Sequence, residues 1–556
     1  MSFTDISDSV GLDNGAPSPS SGGVGAFVGG ASLGDYDSDG VVDLFLTRVG
    51  AGNRLFRGAA DGSFDDVTEA SGLGDDGVGR SGGSGASVWA DIDGDDDLDL
   101  FVGGVGEQAD RLYLNQGDGT FSDRSEERGL ASQTDPGGSD PTGGFATLGA
   151  AFADWDRDGD LDLVTTHWAP PSWAATHSSV EEDRTSLCGI PSAPASGRSD
   201  EDQRAQTARS RLFTNDGDGT FSDVTADLNL DLGDVSAFTP VFADYDSDAW
   251  PDLFVTGDFC TSRLYRNSGT GGFADVTAQS GLGTDENGMG SVVEDLNGDG
   301  ILDWFVTSIA PGPERVGCVA DQVTVGCSGN RLFLGRGAGG FVDATEQFGV
   351  RESAWAWGAA GEDMDNDGRR DLLAVNGYSD AAASATGPGS AASAAFYGRG
   401  APSLWRGSAG GPWVENASAL GLVDGGQAKS VIPFDHDGDG DLDLLVGHTT
   451  TPAALFRNDL TAGGHWLELR LHDATTSNTN AIGARVRLKV PGKDKRWIGD
   501  VRTGSGYQSS GPGTLHIGLG ELDGVDAIEV RWPDSDNFER YGVEAVDTTI
   551  TIERGS

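Results

Sequence analysis

An aspartate-rich segment of nine residues occurs seven times along the chain, and it limits the fold more than any other feature. The first copy is Asp35-Tyr-Asp-Ser-Asp-Gly-Val-Val-Asp43, and a short apolar run follows each copy. We call these segments aspartate loops and number their residues 1 to 9. The six further loops begin, in chain order, at Asp91, Asp154, Asp244, Asp295, Asp363 and Asp435. Such a repeat predicts a series of similar units packed on one another, because one unit alone is too small to bury its apolar faces.

Two more motifs accompany the loops in a fixed order. The first is a short strand of the type Arg-Leu-Phe or Arg-Leu-Tyr, as at Arg54 and Arg111, with weaker versions at Ser403 and Ala454. The second has the form Phe-x-Asp-x-Thr or Ser, and its later copies begin at Phe64, Phe121, Phe221, Phe273, Phe341 and Trp413. Turns rich in Gly and Asn between the two motifs indicate a β-hairpin. With one strand before the loop and one after it, each unit has about four strands.

Four-stranded units in series predict an all-β fold, a seven-bladed β-propeller over residues 1–458. The chain begins with a copy of the second motif, Phe3–Ser7, and the predicted propeller ends with a copy of the first motif. We therefore expect Phe3–Ser7 to pair with Leu455–Asn458 and complete the last blade. An open solenoid is the alternative, but it would leave two unpaired edges.

Residues 459–556, which we call the tail, contain no aspartate loop. Segments such as Trp466–Leu471, Ala484–Val490 and Ala527–Trp532 alternate apolar and polar residues, which is typical of half-buried strands. The tail is therefore predicted to be a small, separate β-domain. Because so short a segment has a small core, docking on the propeller would add to its stability.

The repeats over residues 1–458 resemble the FG-GAP/VCBS family of calcium-binding propeller repeats. The tail resembles the ASPIC/UnbV domain through Asn480–Val486, Ser505-Gly-Tyr507, Gly518-Leu-Gly520 and Val530–Pro533. This pair of domains is typical of the cartilage acidic protein family and its bacterial relatives. The resemblance implies a secreted, calcium-binding propeller that acts as an extracellular binding or adhesion module.

Each aspartate loop has the composition of a calcium site, because Ca²⁺ takes six to eight oxygen ligands from carboxylates and carbonyls. Positions 1, 3, 5 and 9 hold 27 Asp and one Asn, and position 7 offers its backbone carbonyl. Glycine at position 6 permits the sharp turn. We expect about seven Ca²⁺ ions with a structural role, one per blade; Mg²⁺ fits less well because it demands strict octahedral geometry. The alternative is an acidic turn that binds no metal.

The predicted metal ligands share their positions in the seven loops. Position 1 is Asp35, Asp91, Asp154, Asp244, Asp295, Asp363 and Asp435; position 3 is Asp37, Asp93, Asp156, Asp246, Asn297, Asp365 and Asp437; position 5 is Asp39, Asp95, Asp158, Asp248, Asp299, Asp367 and Asp439; position 7 is Val41, Asp97, Asp160, Trp250, Ile301, Arg369 and Asp441; position 9 is Asp43, Asp99, Asp162, Asp252, Asp303, Asp371 and Asp443. The fourth loop has Ala249 where glycine is expected, which predicts weaker binding there.

The charge of the chain excludes some partners. Its net charge of −53 repels nucleic acid and anionic membranes, and no apolar run is long enough to insert into a bilayer. Only four residues are lysine: Lys429, Lys489, Lys493 and Lys495. This acidic, lysine-poor bias has two open explanations, genome composition and adaptation to salt.

The four cysteines bear on the compartment. None forms a C-x-x-C pair, so we expect two disulfides and an oxidising environment rather than a zinc site. The preferred pairs are Cys188–Cys260 and Cys318–Cys327, and four buried free thiols are the alternative. No signal peptide is visible in residues 1–12, as expected also of a mature secreted chain.

Any ligand site is expected on the propeller face opposite the aspartate loops, which collects the long insertions and the four cysteines. Its candidate residues are His167, Trp168, Asp258 and His448, all at or just after the ends of second strands. A funnel lined by them suits a protein segment, a glycan or a small molecule. The alternative is that aromatic residues only fill the top of the ring. The second function hypothesis is an enzyme of the cyclase, lyase or hydrolase type with its site in this funnel and no organic cofactor.

Overall fold

The computed structural model of the protein describes residues 1–12, 23–74, 83–106, 108–130, 145–168, 210–228, 230–233, 235–310, 328–378, 397, 400–460, 463–490 and 497–555. Cys188, Cys318 and Cys327 lie outside these residues, so the disulfide pairing stays a prediction. The helical elements are α1 (Thr345–Phe348) and two 3-10 turns, Gly23–Phe27 and Ser418–Leu420. No helix in the described part of the chain is long and apolar enough to span a lipid bilayer.

In the described part of the chain, twenty-eight strands before the tail form seven antiparallel units of four. Strand β1 (Phe3–Asp5) belongs to the seventh unit. The first unit has β2 (Ala31–Gly34), β3 (Asp43–Leu46), β4 (Arg54–Gly58) and β5 (Phe64–Asp66); the second has β6 (Gly83–Ala90), β7 (Asp99–Gly106), β8 (Arg111–Asn115) and β9 (Phe121–Asp123); the third has β10 (Phe145–Ala153), β11 (Asp162–His167), β12 (Arg211–Asn215) and β13 (Phe221–Asp223); the fourth has β14 (Ser236–Ala243), β15 (Asp252–Asp258), β16 (Arg263–Asn267) and β17 (Phe273–Asp275). The fifth has β18 (Ser291–Glu294), β19 (Asp303–Val306), β20 (Arg331–Gly335) and β21 (Phe341–Asp343); the sixth has β22 (Ala356–Glu362), β23 (Asp371–Asn376), β24 (Ser403–Arg406) and β25 (Val414–Glu415); the seventh has β26 (Ala428–Phe434), β27 (Asp443–His448) and β28 (Ala454–Asn458). Strands β7 and β10 also pair and join the second and third units into one sheet.

The order of the motifs explains the order of the strands. Each aspartate loop joins the first and second strands of its unit, and the two other motifs form the third and fourth strands. The first strands of neighbouring units pack side by side around the centre. The all-β propeller architecture is thus confirmed; the blade number stays a prediction, which the seven units support.

The predicted closure of the ring is confirmed. Strand β1 pairs with β28 in the register Phe3↔Asn458, Thr4↔Arg457 and Asp5↔Phe456. The amide of Ile6 continues this pairing with a 2.9 Å hydrogen bond to the Leu455 carbonyl. The two ends of the propeller part therefore build one sheet, in which β1 is the outer strand and covers the edge of β28.

The tail contains two sheets. One joins β29 (His465–His472), β33 (Leu515–Gly520) and β36 (Thr548–Glu553), and the other joins β30 (Arg485–Lys489), β31 (Ile498–Asp500), β34 (Ala527–Arg531) and β35 (Glu539–Tyr541). The remaining strand, β32 (Ser509–Ser510), pairs with β2 at the centre of the ring. The apolar core of the tail is continuous with that of the second and third units. The expected docking is thus observed, while the boundary at residue 459 stays a prediction.

A loop of the tail fills the centre of the propeller. Tyr507 is fully buried there, its ring centroid 5.2 Å from Trp357 and 5.7 Å from Phe238. Its hydroxyl donates a 2.8 Å hydrogen bond to the carbonyl of Phe27, and the neighbouring Gln508 accepts one from Gly29. The central channel is therefore closed from the side of the aspartate loops.

Substitution Tyr507→Ala should lower the free energy of unfolding by about 3–5 kcal/mol, because it removes a large, fully buried ring. Tyr507→Phe should cost about 1–2 kcal/mol, since it keeps the ring and removes only the hydroxyl, which donates to the Phe27 carbonyl and accepts from Gln508 Nε2. Chemical denaturation of the two variants measures the difference. Equal effects would contradict the packing role of the ring.

Candidate metal centres

The backbone of every aspartate loop is held by its own aspartates. The carboxylate at position 1 accepts hydrogen bonds of 2.7–3.2 Å from the amides of positions 5 and 6 in all seven loops. Position 6 has a positive φ in each, such as 89° at Gly40. This left-handed turn brings the side chains of positions 1, 3 and 5 to one centre.

Position 9 has a role that sequence reasoning missed. Its carboxylate was predicted as a metal ligand, but in all seven loops it also accepts two backbone hydrogen bonds, from loop position 2 and from the third strand. For Asp43 these donors are the amides of Tyr36 and Gly58. The aspartate at position 9 therefore links the loop to two strands of its unit, whether or not it also binds a metal ion.

At position 3, several loops have a buried carboxylate oxygen without a hydrogen-bond partner. The Oδ1 atoms of Asp37, Asp93, Asp156 and Asp365 are buried and have no hydrogen-bond partner. Within each of these four loops, oxygens of three carboxylates lie within 4.8 Å of one another. A buried carboxylate oxygen without a partner is costly, and a hard divalent cation satisfies it. The residues present therefore fit Ca²⁺.

Without a bound metal ion, burial also raises the pKa of several aspartates in these loops. Burial, opposed by two backbone hydrogen bonds, raises the pKa of Asp43 to about 8, and the same causes raise that of Asp371 to about 8. Burial and the neighbouring Asp158 and Asp156 raise the pKa of Asp154 to about 7. Metal-free loops would therefore hold protons near neutral pH.

When a chelator keeps the protein free of calcium, its melting temperature should fall as the pH rises from 5 to 8. Folding raises the pKa of carboxyls such as Asp43 from 3.8 to about 8. Their contribution to stability is therefore complete below pH 4 and is lost as the pH rises through 8. Saturating calcium should flatten this dependence, because the ion compensates the ionised carboxylates. Parallel pH profiles with and without calcium would contradict this expectation.

Two loops depart from glycine at position 6. The second loop has Asp96, with φ 71°, and the fourth has Ala249, with φ 77°. Both residues accept the left-handed conformation that the turn requires, at a cost that glycine avoids. Asp96 also contacts the tail, because its Oδ1 lies 3.1 Å from His472 Nε2. Sequence analysis noted Ala249 but not Asp96.

The tail covers the face that carries the aspartate loops. In the second loop, Thr479 donates a 2.6 Å hydrogen bond to Asp91. In the third, the Asn478 amide donates to the Gly159 carbonyl. Further contacts join Arg531 to Asp244 in the fourth loop and His516 to Asn366 in the sixth. Side chains of the tail therefore bond directly to residues of several predicted metal sites, which sequence reasoning did not foresee.

Comparison with protein families agrees with this architecture. Residues 35–102, 91–165 and 244–306 match the FG-GAP-like repeat, and residues 474–556 match the domain described as ASPIC and UnbV. Residues 35–165 and 244–306 thus contain FG-GAP-like repeats, and residues 474–556 contain an ASPIC and UnbV domain. Each of the three repeat matches spans two aspartate loops.

The curated relatives include cartilage acidic protein 1. The mouse protein is 28% identical over 306 residues, 53% of this chain and 41% of its own length. The Xenopus tropicalis protein is 28% identical over 340 residues, 58% of this chain and 45% of its own. The chain thus spans less than half the length of these relatives.

Solved structures with a similar course include two lectins. The BP39L lectin from Burkholderia pseudomallei has a TM-score of 0.43 at 10% identity, covering 79% of this chain and 97% of the lectin. A lectin from Agrocybe aegerita that recognises terminal N-acetylglucosamine has a TM-score of 0.38 at 16% identity, covering 75% and 88%. The likeness is one of general fold.

The four candidate residues of the opposite face lie at the far ends of β11, β15 and β27, and only two of them meet. Trp168 Nε1 donates a 3.0 Å hydrogen bond to Asp258 Oδ2. His167 instead lies 2.8 Å from the Thr147 hydroxyl, and His448 lies 2.9 Å from Asp424. The structure therefore does not join the two histidines into one site.

Two cavities lie between the ring and the tail in the described part of the chain. The larger of these two, about 140 Å³, is lined by charged residues such as Glu294, Glu362 and Arg502. The smaller one, about 30 Å³, lies at the same interface. Neither is lined by His167 or His448, so the acid–base role considered for them gains no support from these cavities.

Half-buried aromatic rings mark the centre of the opposite face. We call Phe27, Trp168, Trp355, Tyr378 and Tyr397 the aromatic patch. Trp355 stacks on Tyr378 at 4.2 Å and meets Tyr397 edge-on at 5.5 Å, while Phe27 meets Trp168 edge-on at 5.1 Å. Beneath the patch lie the fully buried rings of the ring centre. Among the described residues, this face therefore has a filled centre and half-buried aromatic rings above it.

A buried lysine below this patch was also missed from the sequence. Lys429 is fully buried, its Nζ lies 4.2 Å from the centre of the Trp357 ring, and it donates a hydrogen bond to the Gly377 carbonyl. Burial lowers the pKa of this amine well below its usual value. No local pattern distinguishes this lysine, because its burial depends on strands of two different units.

Proposed function

We propose that the protein is a secreted, calcium-binding β-propeller that acts as an extracellular binding module, with its ligand site on the face opposite the aspartate loops. The observation that carries the calcium proposal is the buried, unpartnered Oδ1 atom that recurs at position 3. A hydrogen-bonded acidic turn would not need this atom to remain unsatisfied. Calcium is preferred because all the candidate donors are oxygens on a flexible loop.

Calorimetric titration of the EDTA-treated protein with CaCl₂ tests the metal proposal directly. We expect saturable binding of several ions, and weaker binding of Mg²⁺ under the same conditions. Asp37→Ala should remove one ion, because it deletes the unpartnered ligand of the first loop. Absence of binding in the folded protein would refute the proposal.

The position of the tail is consistent with a ligand site on the face opposite the aspartate loops. Because the tail bonds to several aspartate loops and its Tyr507 loop fills the channel, the ligand site is placed on the opposite face, whose described residues include the aromatic patch. Partly exposed rings held by their neighbours supply rigid contact area at a low entropic cost. Trp168 is fixed further by its bond to Asp258. This surface suits a ligand with flat apolar faces.

The charge of the chain narrows the class of ligand. A net charge of −53 opposes the approach of anionic polymers. Sugar rings without acidic groups combine flat apolar faces with hydroxyls that can bond to groups such as the Asp258 carboxylate. We therefore propose a neutral glycan as the ligand.

A glycan array probed with the calcium-loaded protein tests this proposal. Binding should be lost in Trp355→Ala and in Trp168→Ala, which remove rings of the aromatic patch. The matched control is Phe538→Ala, which removes a half-buried ring on the tail. Binding only of acidic glycans, or binding that survives both patch variants, would contradict the proposed site.

A further inference from the structure

The fourth aspartate loop differs from the others in how its carboxylates are satisfied. Asp244 accepts from the amides of Asp248 and Ala249, as position 1 does in every loop. The remaining oxygens of Asp246 and Asp248, however, are also bonded. Asp248 Oδ1 accepts from the Trp250 amide at 3.0 Å, as position 5 accepts from position 7 in five other loops. The distinguishing bond is at position 3, where Asp246 Oδ1 accepts from the Asp248 amide at 3.3 Å.

One arginine of the same unit bridges positions 3 and 5. Arg266 Nε lies 2.6 Å from Asp246 Oδ2, and its second nitrogen lies 2.7 Å from Asp248 Oδ2. The guanidinium thus joins the two carboxylates that a metal ion would join. The equivalent residue is also arginine in the first, sixth and seventh units, as Arg57, Arg406 and Arg457, so what distinguishes the fourth unit is that Arg266 bridges positions 3 and 5.

Two arginines of the tail complete the cluster at position 1. Arg531 donates a 2.6 Å hydrogen bond to Asp244 Oδ2. Arg485, which is 2% exposed at its side chain, donates a 2.6 Å bond to the Asp244 carbonyl and is itself held by Asp500 at 2.7 and 2.8 Å. Charge-assisted bonds of this kind are among the strong ones in proteins. Guanidinium groups therefore surround the acidic centre of this loop.

The sixth loop shows why an arginine alone does not replace a metal. Arg406 pairs with Asp365 there, yet the Oδ1 atoms of Asp365 and Asp367 remain buried without a partner. In the fourth loop, each oxygen of Asp244, Asp246, Asp248 and Asp252 has a donor. The carboxylate oxygens of the fourth loop are therefore all bonded to groups of the protein. In the sixth loop, buried carboxylate oxygens remain that a cation could bind.

We propose that the fourth loop is an arginine lock instead of a calcium site: Arg266, Arg485 and Arg531 take the place of the ion and fasten the tail to the ring. The protein then binds six calcium ions rather than seven. This inference rests on the proposed calcium binding of the other loops for its ion count, but the lock itself consists of contacts between protein groups.

Matched substitutions at position 3 test the lock. Native mass spectrometry of the calcium-loaded chain should show one ion fewer in Asp37→Ala and no loss in Asp246→Ala. The melting temperature gives a second readout that does not depend on an ion count. Asp246→Ala should lower it by the same amount in calcium and in EGTA, because the lost partner is Arg266, whereas the effect of Asp37→Ala should be present only in calcium.

The outcomes separate the two proposals. Loss of an ion in Asp246→Ala, or a destabilisation by Asp246→Ala that disappears in EGTA, would overturn the arginine lock. If Asp37→Ala destabilised the protein equally in calcium and in EGTA, calcium binding at the first loop would be overturned. The arginine lock would then still be tested by comparing Asp246→Ala in the two conditions. Equal effects of Asp246→Ala in both conditions, without ion loss, support the lock.

Discussion

Chelation of calcium should lower the melting temperature of the protein by about 10 °C or more. An ion that binds only the folded state adds about 2.7 kcal/mol when its free concentration is 100 times its Kd. Several such sites together are comparable with the about 5–15 kcal/mol that separates most folded proteins from their unfolded state. Chelation also leaves buried oxygens such as Asp37 Oδ1 without a partner.

Differential scanning calorimetry in excess calcium and in EGTA, at matched ionic strength, measures this effect. Matched ionic strength matters because the net charge of −53 responds to salt on its own. Asp37→Ala in calcium is the internal control, and it should show only a fraction of the chelation effect, since one site of several is lost. A melting point that is the same in both buffers would show that the acidic turns need no ion.

Much of this architecture follows from local sequence. The spacing of the aspartate loops predicted the units, and the displaced copy of the second motif at Phe3 predicted the seam with Asn458. Both predictions depend on contacts that are made within one unit or that recur at equivalent positions in every unit. Such contacts can be inferred from the repeated sequence. The predicted metal positions follow from the same regularity, and the loop backbone explains why Asp is required at positions 1 and 9 even before a metal is considered.

The contacts of the tail could not be predicted in this way. Arg485 and Asp244 are 241 residues apart; Asp244 belongs to a repeat, whereas Arg485 belongs to the tail, which does not share the repeat pattern. Tyr507 lies in a glycine- and serine-rich segment that has no apolar periodicity, yet it is fully buried at the ring centre. Which loop has all its carboxylate oxygens bonded to protein groups depends on these long-range contacts. The repeated sequence alone therefore places the candidate sites but does not distinguish between them.

Deletion of residues 1–8 should destabilise the propeller by about 5 kcal/mol or more. Phe3 is 5% exposed and packs in the apolar core between the sixth and seventh units. The deletion removes this ring and the backbone bonds of β1 to β28, and it exposes the edge of β28 to solvent. It also releases Val10, whose carbonyl accepts a 2.8 Å hydrogen bond from Phe64 in the first unit.

Single substitutions separate the side chain from the strand. Phe3→Ala should cost about 3–5 kcal/mol, since it leaves a cavity at the seam. Thr4→Ala, at the exposed position next to it, should change stability by less than about 0.5 kcal/mol. If the deletion costs no more than Phe3→Ala, the strand pairing adds nothing to closure beyond the buried ring.

Hydrogen exchange locates the damage within the ring. In the deletion variant, amides of β28 and β27 should lose protection first, because β28 becomes an unprotected edge and β27 depends on it. Amides of β11 and β12 in the third unit are the comparison, since they lie away from the seam and pack against the tail-bonded part of the propeller. A loss of protection confined to the seventh unit would show that the ring opens locally at the seam. Uniform loss across all units would show that closure holds the whole propeller together, and unchanged protection in β28 would refute the role of β1.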